Sequence, residues 1–116
     1  MKSKRIDAYI RRDRLSFVLM ALDNIQDFPG VTVLECQGFG KRPSQKTHKR
    51  IVDFLVEPYR HAKLEIVCAE DRVQGIIAII KSQLPGTEGE NGRFYLSEVE
   101  DMASSQGVIN LSAKPE

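Results

Sequence analysis

Two short segments combine glycine with basic side chains in a pattern that could form one side of an anion-binding site. Residues 38–42 read GFGKR, so two glycines precede Lys41 and Arg42. Residues 86–93 read GTEGENGR, with three glycines spaced G-x-x-G-x-x-G before Arg93. Glycine lets backbone N–H groups approach a phosphate closely, and the cations add charge. The same spacing also fits a flexible connector in the second segment and a bulged strand end in the first.

A third segment, 41–50, contains five basic residues and no acidic one, although the whole chain carries a net charge of only +1. It has three interpretations: a solvated loop, a docking surface for an acidic or lipid-proximal partner, and a nucleic-acid contact. No aromatic residue lies in it to stack on bases, so nucleic acid ranks last. We favour docking to a protein partner and expect no nucleic acid.

Side chains that could bind a metal or act as a nucleophile are sparse. The cysteines and histidines are Cys36, Cys68, His48 and His61. None forms a C-x-x-C or H-x-x-x-H pair, and no Ser-His-Asp or Cys-His grouping is legible. We therefore expect no metal site, no catalytic residue and no enzyme.

The elements that hold these segments follow from hydrophobic periodicity. Residues 4–10 alternate, which predicts a strand with one buried face. Residues 14–28 carry an apolar stripe at helical spacing, with Asp13 as the expected N-cap and a proline-glycine pair as the stop. Strand-like runs follow at 31–40 and 62–68.

The second half repeats this alternation of element types. A helix is predicted to begin near Glu70 and to end before Pro85-Gly86. Its core stripe consists of Val73, Ile76, Ile77, Ile80 and Leu84. A last strand is predicted over 93–99, with a weak strand signal at 108–111. The order β-α-β-β-α-β predicts an α+β, ferredoxin-like sandwich with two helices on one face of an antiparallel sheet.

Composition bounds the class of protein. The chain has 116 residues, 41% hydrophobic and 28% charged, which is typical of one folded domain. No apolar run approaches the roughly 20 residues of a membrane span, and no secretory signal is legible. We expect a cytoplasmic protein with a domain over 1–102 and a polar tail over 103–116.

The chain resembles the P-II signal-transduction family over roughly residues 4–99. The resemblance is carried by GVTV at 30–33, GFG at 38–40, IVDFL at 51–55 and KLEIV at 63–67. The helix, glycine loop and strand that follow come in the family's order. The combination is fairly specific, whereas each piece alone would be weak.

The resemblance implies a homotrimer of ferredoxin-like subunits with adenine nucleotides bound between them. It implies that a loop, here about 41–50, contacts a regulated partner such as a membrane transporter or a metabolic enzyme of nitrogen or carbon metabolism. Carried over by position, the expected ligand-binding residues are Thr32, Gly38, Gly40, Lys41, Arg42, Glu65, Gly89, Asn91, Gly92 and Arg93.

Several positions depart from the family's pattern. No tyrosine lies in 41–50, so the covalent modification known for that loop is not expected. Lys41-Arg42 stands where the family has Arg-Gln, the glutamine being linked to magnesium and 2-oxoglutarate. Ser104 and Gln106 stand near the positions of two phosphate-binding arginines. ADP or AMP is therefore favoured over ATP as the effector, and no cofactor is obligatory.

The expected function is regulation: a small effector binds between subunits and controls a protein partner through residues 41–61. The alternative is a constitutive trimeric interaction protein, or a sensor of another small anion or a metal, that has lost nucleotide binding.

Overall fold

The computed structural model describes residues 2–38, 59–86, 92–105 and 107–109. Within these ranges, no helix is both long and apolar enough to cross a membrane. The predicted basic segment 41–50 and the apolar run 51–55 lie outside the described residues.

Four strands form one antiparallel sheet in the order β2-β3-β1-β4. The strands are β1 (Ser3–Arg11), β2 (Thr32–Gly38), β3 (Tyr59–Ala69) and β4 (Arg93–Val99). This order, with two helical crossovers, is the predicted ferredoxin-like α+β sandwich. The two strands at the centre, β1 and β3, are the longest, and β2 and β4 form the edges.

The strict alternation of β1 divides the sheet into two unlike faces. Ile6, Ala8 and Ile10 are fully buried beneath the helices, as predicted. Their partners on β3 are Ile66, Leu64 and Ala62, which are also fully buried. The intervening side chains point to the opposite face, which no helix covers in the described residues. We call this second surface the outer face.

Two short helices close the buried face. They are α1 (Leu15–Asp23) and α2 (Val73–Ser82), each preceded by a 3-10 turn, at Arg12–Arg14 and Glu70–Arg72. Val18 and Leu22 of α1 pack into the same core as Val73, Ile76 and Ile80 of α2. Ile77 and Leu84, also in the predicted stripe, pack at its margin.

The beginning of α1 differs from the sequence prediction. Asp13 does not cap the helix, because it lies within the preceding 3-10 turn and Arg14 occupies the N-cap position. The Asp13 carboxylate instead accepts a hydrogen bond from the Arg11 guanidinium at 3.0 Å. The prediction of Asp13 as the N-cap was therefore wrong.

The end of α1 also differs, since the helix stops at Asp23 and not at Pro29. Asp27 adopts a positive φ of 55°, which a helix cannot contain. Arg72 donates hydrogen bonds to the carbonyls of Gln26 and Asp27 at 2.8 and 2.7 Å. A contact from a distant part of the chain thus stabilises this turn in place of another helical turn.

A small hairpin follows the main sheet. Strand β5 (Met102–Ser104) pairs with β6 (Gly107–Ile109) in antiparallel register. Part of the weak strand signal at 108–111 therefore corresponds to β6, and 110–111 lie outside the described residues. The predicted division between a domain over 1–102 and a tail over 103–116 stays a prediction.

The buried stripe of α2 makes a direct prediction about stability. Ile80→Ala removes a fully buried side chain and should lower the free energy of unfolding by about 2–5 kcal/mol. Met20→Ala on α1 is the control, because Met20 is 68% exposed and should change stability by less than about 0.5 kcal/mol. Urea denaturation at one fixed protein concentration measures both, and equal losses would contradict the assigned core.

Candidate ligand-binding site

Half of the predicted ligand residues fall within the described parts of the chain. They are Thr32, Gly38, Glu65, Gly92 and Arg93. The others, Gly40, Lys41, Arg42, Gly89 and Asn91, lie outside the described residues, and their roles stay predictions. The structure therefore places the strand ends that flank the two glycine segments.

Thr32 and Glu65 are brought together by sheet register. Thr32, the first residue of β2, lies directly opposite Glu65 of β3. Glu65 in turn lies opposite Asp7 of β1, so a row of polar side chains crosses the outer face. Glu65 accepts a hydrogen bond from Lys63 at 3.1 Å, and this bond raises the pKa of Lys63 above its ordinary value.

Arg93 belongs to a cluster of cations and rings on the outer face. It begins β4 and lies opposite Tyr9 of β1, with its guanidinium carbon 5.7 Å from the centre of the tyrosine ring. The Lys63 ammonium lies 5.8 Å from the same ring. Tyr95 meets Tyr9 edge to face, with ring centres 5.9 Å apart. Arg93 is therefore oriented by aromatic contacts while its own side chain stays exposed.

Gly92 has a geometry that only glycine accommodates well. Its φ is +79°, and a Cβ at this position would lie 2.9 Å from the carbonyl oxygen of Tyr9 and 3.2 Å from Cδ1 of Leu84. The close approach brings the end of the second glycine segment against β1. The sequence motif thus has a packing reason that is independent of any ligand.

The described ends of the two glycine segments lie at opposite edges of the sheet. Gly38 ends β2 at one edge, and Gly92-Arg93 leads into β4 at the other, with β3 and β1 between them. Three strand spacings of about 4.8 Å separate the two edges by about 14 Å. Gly38 and Gly92 nevertheless lie toward the same end of the sheet. Within one subunit, these two described glycines are separated by the two central strands.

The outer face carries an unusual buried acceptor. Asp7 is only 9% exposed, and its Oδ2 accepts a hydrogen bond from Arg5 at 3.0 Å. Its Oδ1 is buried and has no hydrogen-bond partner among the described residues. A buried carboxylate oxygen without a donor costs free energy.

A cleft that the sequence did not reveal lies where the chain leaves β2 and enters β3. It encloses about 520 Å³ and is lined by Arg12, Glu35, Cys36, Gln37, Arg60 and His61. Arg12 and Glu35 form an ion pair across it. Cys36 lies directly opposite His61 in the β2–β3 register. The two residues are 25 positions apart in sequence, so only the pairing of the strands brings them together.

Comparison with known proteins assigns the chain to a family. A model of the family "Nitrogen regulatory protein P-II" matches residues 3–107. The chain belongs to the P-II family. Similar relatives include the P-II protein of Pyropia yezoensis, 31% identical over 98 residues, covering 84% of this chain and 86% of the relative. The P-II protein of Nostoc punctiforme is 33% identical over 100 residues, covering 85% and 88%.

A solved structure agrees with this assignment. Arabidopsis thaliana PII bound to citrate superposes with a TM-score of 0.68 at 25% identity, covering 90% of this chain and 82% of that one. The family resemblance and the ferredoxin-like fold expected from sequence are confirmed. The relatives are named as nitrogen regulatory proteins, so this P-II chain belongs to a family of regulators in signal transduction.

Gly92 and Gly75 form a matched pair for testing the geometry of the second glycine segment. Gly92→Ala should destabilise the fold by about 1–3 kcal/mol, because of the positive φ and the contact with the Tyr9 carbonyl. Gly75→Ala lies in α2 with nothing within 4 Å of the new Cβ and should stabilise by up to about 1 kcal/mol. Thermal unfolding measures whether each variant is less or more stable than the parent. Unchanged stability of Gly92→Ala would contradict the close contact between Gly92 and the Tyr9 carbonyl.

Proposed function

We propose that this P-II protein is a ligand-sensing regulator that acts as a homotrimer. An adenine nucleotide, with ADP or AMP favoured over ATP, binds between subunits. Whether a nucleotide occupies that site then controls a protein partner, such as a membrane transporter or a metabolic enzyme, through residues 41–61. The observation that carries the proposal is the position of the two ligand segments at opposite edges of one sheet.

The edge positions favour a site made by two subunits. A ring of three copies can bring the β2 edge of one subunit beside the β4 edge of the next, since contacts between unlike surfaces close into rings. Gly38 of one copy would then face Gly92 and Arg93 of its neighbour. A ligand in that gap would have glycine backbone on both sides and the Arg93 guanidinium for its phosphate.

The outer face supplies the surface for assembly. It combines the orphaned Oδ1 of Asp7 with the ring of Tyr95, which is 53% exposed in the single subunit. Neighbouring copies would cover these rings and offer donors to the carboxylate. The helical layer lacks this combination of an unsatisfied buried acceptor and aromatic rings in the described residues.

The chemistry of the site suits an anion. The Arabidopsis relative was solved with citrate, a molecule with several carboxylates. Here Arg93 is exposed beside a glycine backbone, which suits a phosphate or carboxylate group. The replacement of two family arginines by Ser104 and Gln106 removes positive charge, which favours a nucleotide with fewer phosphates.

The link from ligand to partner follows from chain connectivity. Gly38 ends the strand that enters residues 39–58, and Tyr59 begins the strand that leaves them. A ligand against Gly38 would therefore touch the base of the partner-binding segment. To act as a switch, it must bind one arrangement of that segment more tightly than the other.

The same replacements, Ser104 and Gln106, support a second candidate function. A trimer that has lost nucleotide binding would act as a constitutive interaction protein, or would sense another small anion or a metal. Titration calorimetry with the three adenine nucleotides distinguishes the two functions.

Arg93→Ala should weaken nucleotide binding at least tenfold, because it removes the guanidinium that contacts the phosphate. Lys81→Ala is the matched control, since Lys81 lies 5.7 Å from the Phe94 ring on the helical side of β4 and should bind as the parent does. Calorimetry with ADP, AMP and ATP measures both. Unchanged affinity in Arg93→Ala would contradict a role for the second glycine segment in nucleotide binding.

A second pair of variants tests assembly. Tyr95→Glu places a charge on the outer face and should lower the molar mass from that of a trimer to that of a monomer. Phe17→Glu changes a similarly exposed aromatic residue on α1 and should stay trimeric. Light scattering at several concentrations measures the mass, and a monomeric parent protein would contradict the proposal.

A further inference from the structure

Tyr9 lies at the centre of a row of side chains that crosses three strands of the outer face. It is directly opposite Lys63 of β3 and directly opposite Arg93 of β4. The strands that carry these two cations flank β1 on its two sides, so the ring of Tyr9 stands between them. The sequence pattern does not single out Tyr9, because its two partners are 54 and 84 positions away in the chain.

The ring of Tyr9 lies within reach of the Arg93 guanidinium. The guanidinium carbon is 5.7 Å from the ring centre, and an aromatic ring attracts a cation over roughly 6 Å. The ring is itself fixed by Tyr95, which meets it edge to face with ring centres 5.9 Å apart. Because the Arg93 side chain is otherwise exposed, the ring restricts the positions that its guanidinium can take.

Lys63, the second cation on this ring, is already paired. Its ammonium lies 5.8 Å from the Tyr9 ring centre and donates a hydrogen bond to Glu65 at 3.1 Å. That bond raises the pKa of Lys63, so the ammonium stays charged beside the carboxylate. Of the two cations on the ring, Arg93 is the one for which the described residues offer no carboxylate, so it is the one available to an anion.

The main chain of Tyr9 also contacts the end of the second glycine segment. Its carbonyl oxygen lies 2.9 Å from the position that a Cβ of Gly92 would take. Tyr9 thus meets two consecutive predicted ligand residues, Gly92 through its backbone and Arg93 through its ring. One residue of a central strand therefore sets both the path of the chain into β4 and the place of the first cation on that strand.

We propose that Tyr9 is a positioning residue of the ligand site, which holds the Arg93 guanidinium in place for an anionic group of the ligand. A guanidinium that is ordered before binding loses less side-chain entropy when the anion arrives, so the ligand binds more tightly. Tyr9 acts through its ring and not through its hydroxyl, so phenylalanine can replace it. The effect on nucleotide binding rests on the proposed function, whereas the ordering of Arg93 does not.

The ordering of Arg93 is tested by NMR on the full, ligand-free protein. The Nε–Hε signal of Arg93 is assigned by its loss in Arg93→Lys, and its heteronuclear NOE measures how mobile the guanidinium is. Tyr9→Leu should lower this NOE to that of a freely moving side chain, and Tyr9→Phe should preserve it. Arg72 is the internal control, because its guanidinium donates to two carbonyls and should stay ordered in every variant.

The effect on the ligand is tested by calorimetry with ADP. Tyr9→Leu should weaken ADP binding roughly three- to tenfold, the range expected when a cation loses one aromatic contact. Tyr9→Phe should bind as the parent does. When Tyr9→Leu is added to Arg93→Ala, it should cause no further loss, because Tyr9 acts only through the guanidinium. A general structural role of Tyr9 would instead produce its full loss in the double variant.

The two measurements separate this inference from the proposed function. An Arg93 guanidinium that is as ordered in Tyr9→Leu as in the parent, or a full further loss of affinity in the double variant, would overturn the inference. A parent protein that binds no nucleotide would refute the proposed function, and the NMR comparison would still decide whether Tyr9 positions Arg93. Molar mass is measured for every variant, and Tyr9→Met replaces Tyr9→Leu if the leucine variant changes the assembly.

Discussion

The structure depends on the pairing of β1 with β3 at the centre of the sheet. Nine consecutive residue pairs join the two strands, and from Ile6 to Arg11 the pairs alternate between aliphatic on one face and polar on the other. The aliphatic face, with Ile6 opposite Ile66, takes the helices and forms the core. Because the side-chain period of a strand is two, a slip of one residue would exchange the two faces, so the core itself holds the register.

The same register sets the positions of the polar side chains on the outer face. Asp7 opposite Glu65, Tyr9 opposite Lys63 and Arg11 opposite His61 are each fixed by the core pairs between them. In the described residues, helices cover one side of the sheet, and the other side keeps the unpartnered oxygen of Asp7 and the Tyr9–Tyr95 contact. The proposed assembly rests on these two features.

Much of the fold could be predicted from the chain because periodicity and burial agree. The alternation at 4–10 and the stripe of α2 correspond to buried side chains, and the strand over 93–99 has the predicted bounds. The error at the end of α1 occurred where a distant residue competes with local propensity, whereas Asp13 failed as the N-cap because a local 3-10 turn precedes the helix. Arg72 stabilises the turn after α1 through the carbonyls of Gln26 and Asp27, and no local pattern around α1 contains that information.

The candidate site, like the fold, could be predicted from the sequence only in part. The sequence by itself determined the glycine and arginine positions, the family and the α+β order of elements, since each depends on residue type and local spacing. Only the tertiary structure decided that Gly38 and Arg93 lie at opposite edges of the sheet, and that Cys36 faces His61 across two strands. The physical reason is that strand register brings together residues far apart in the chain, and register is set by the whole core at once.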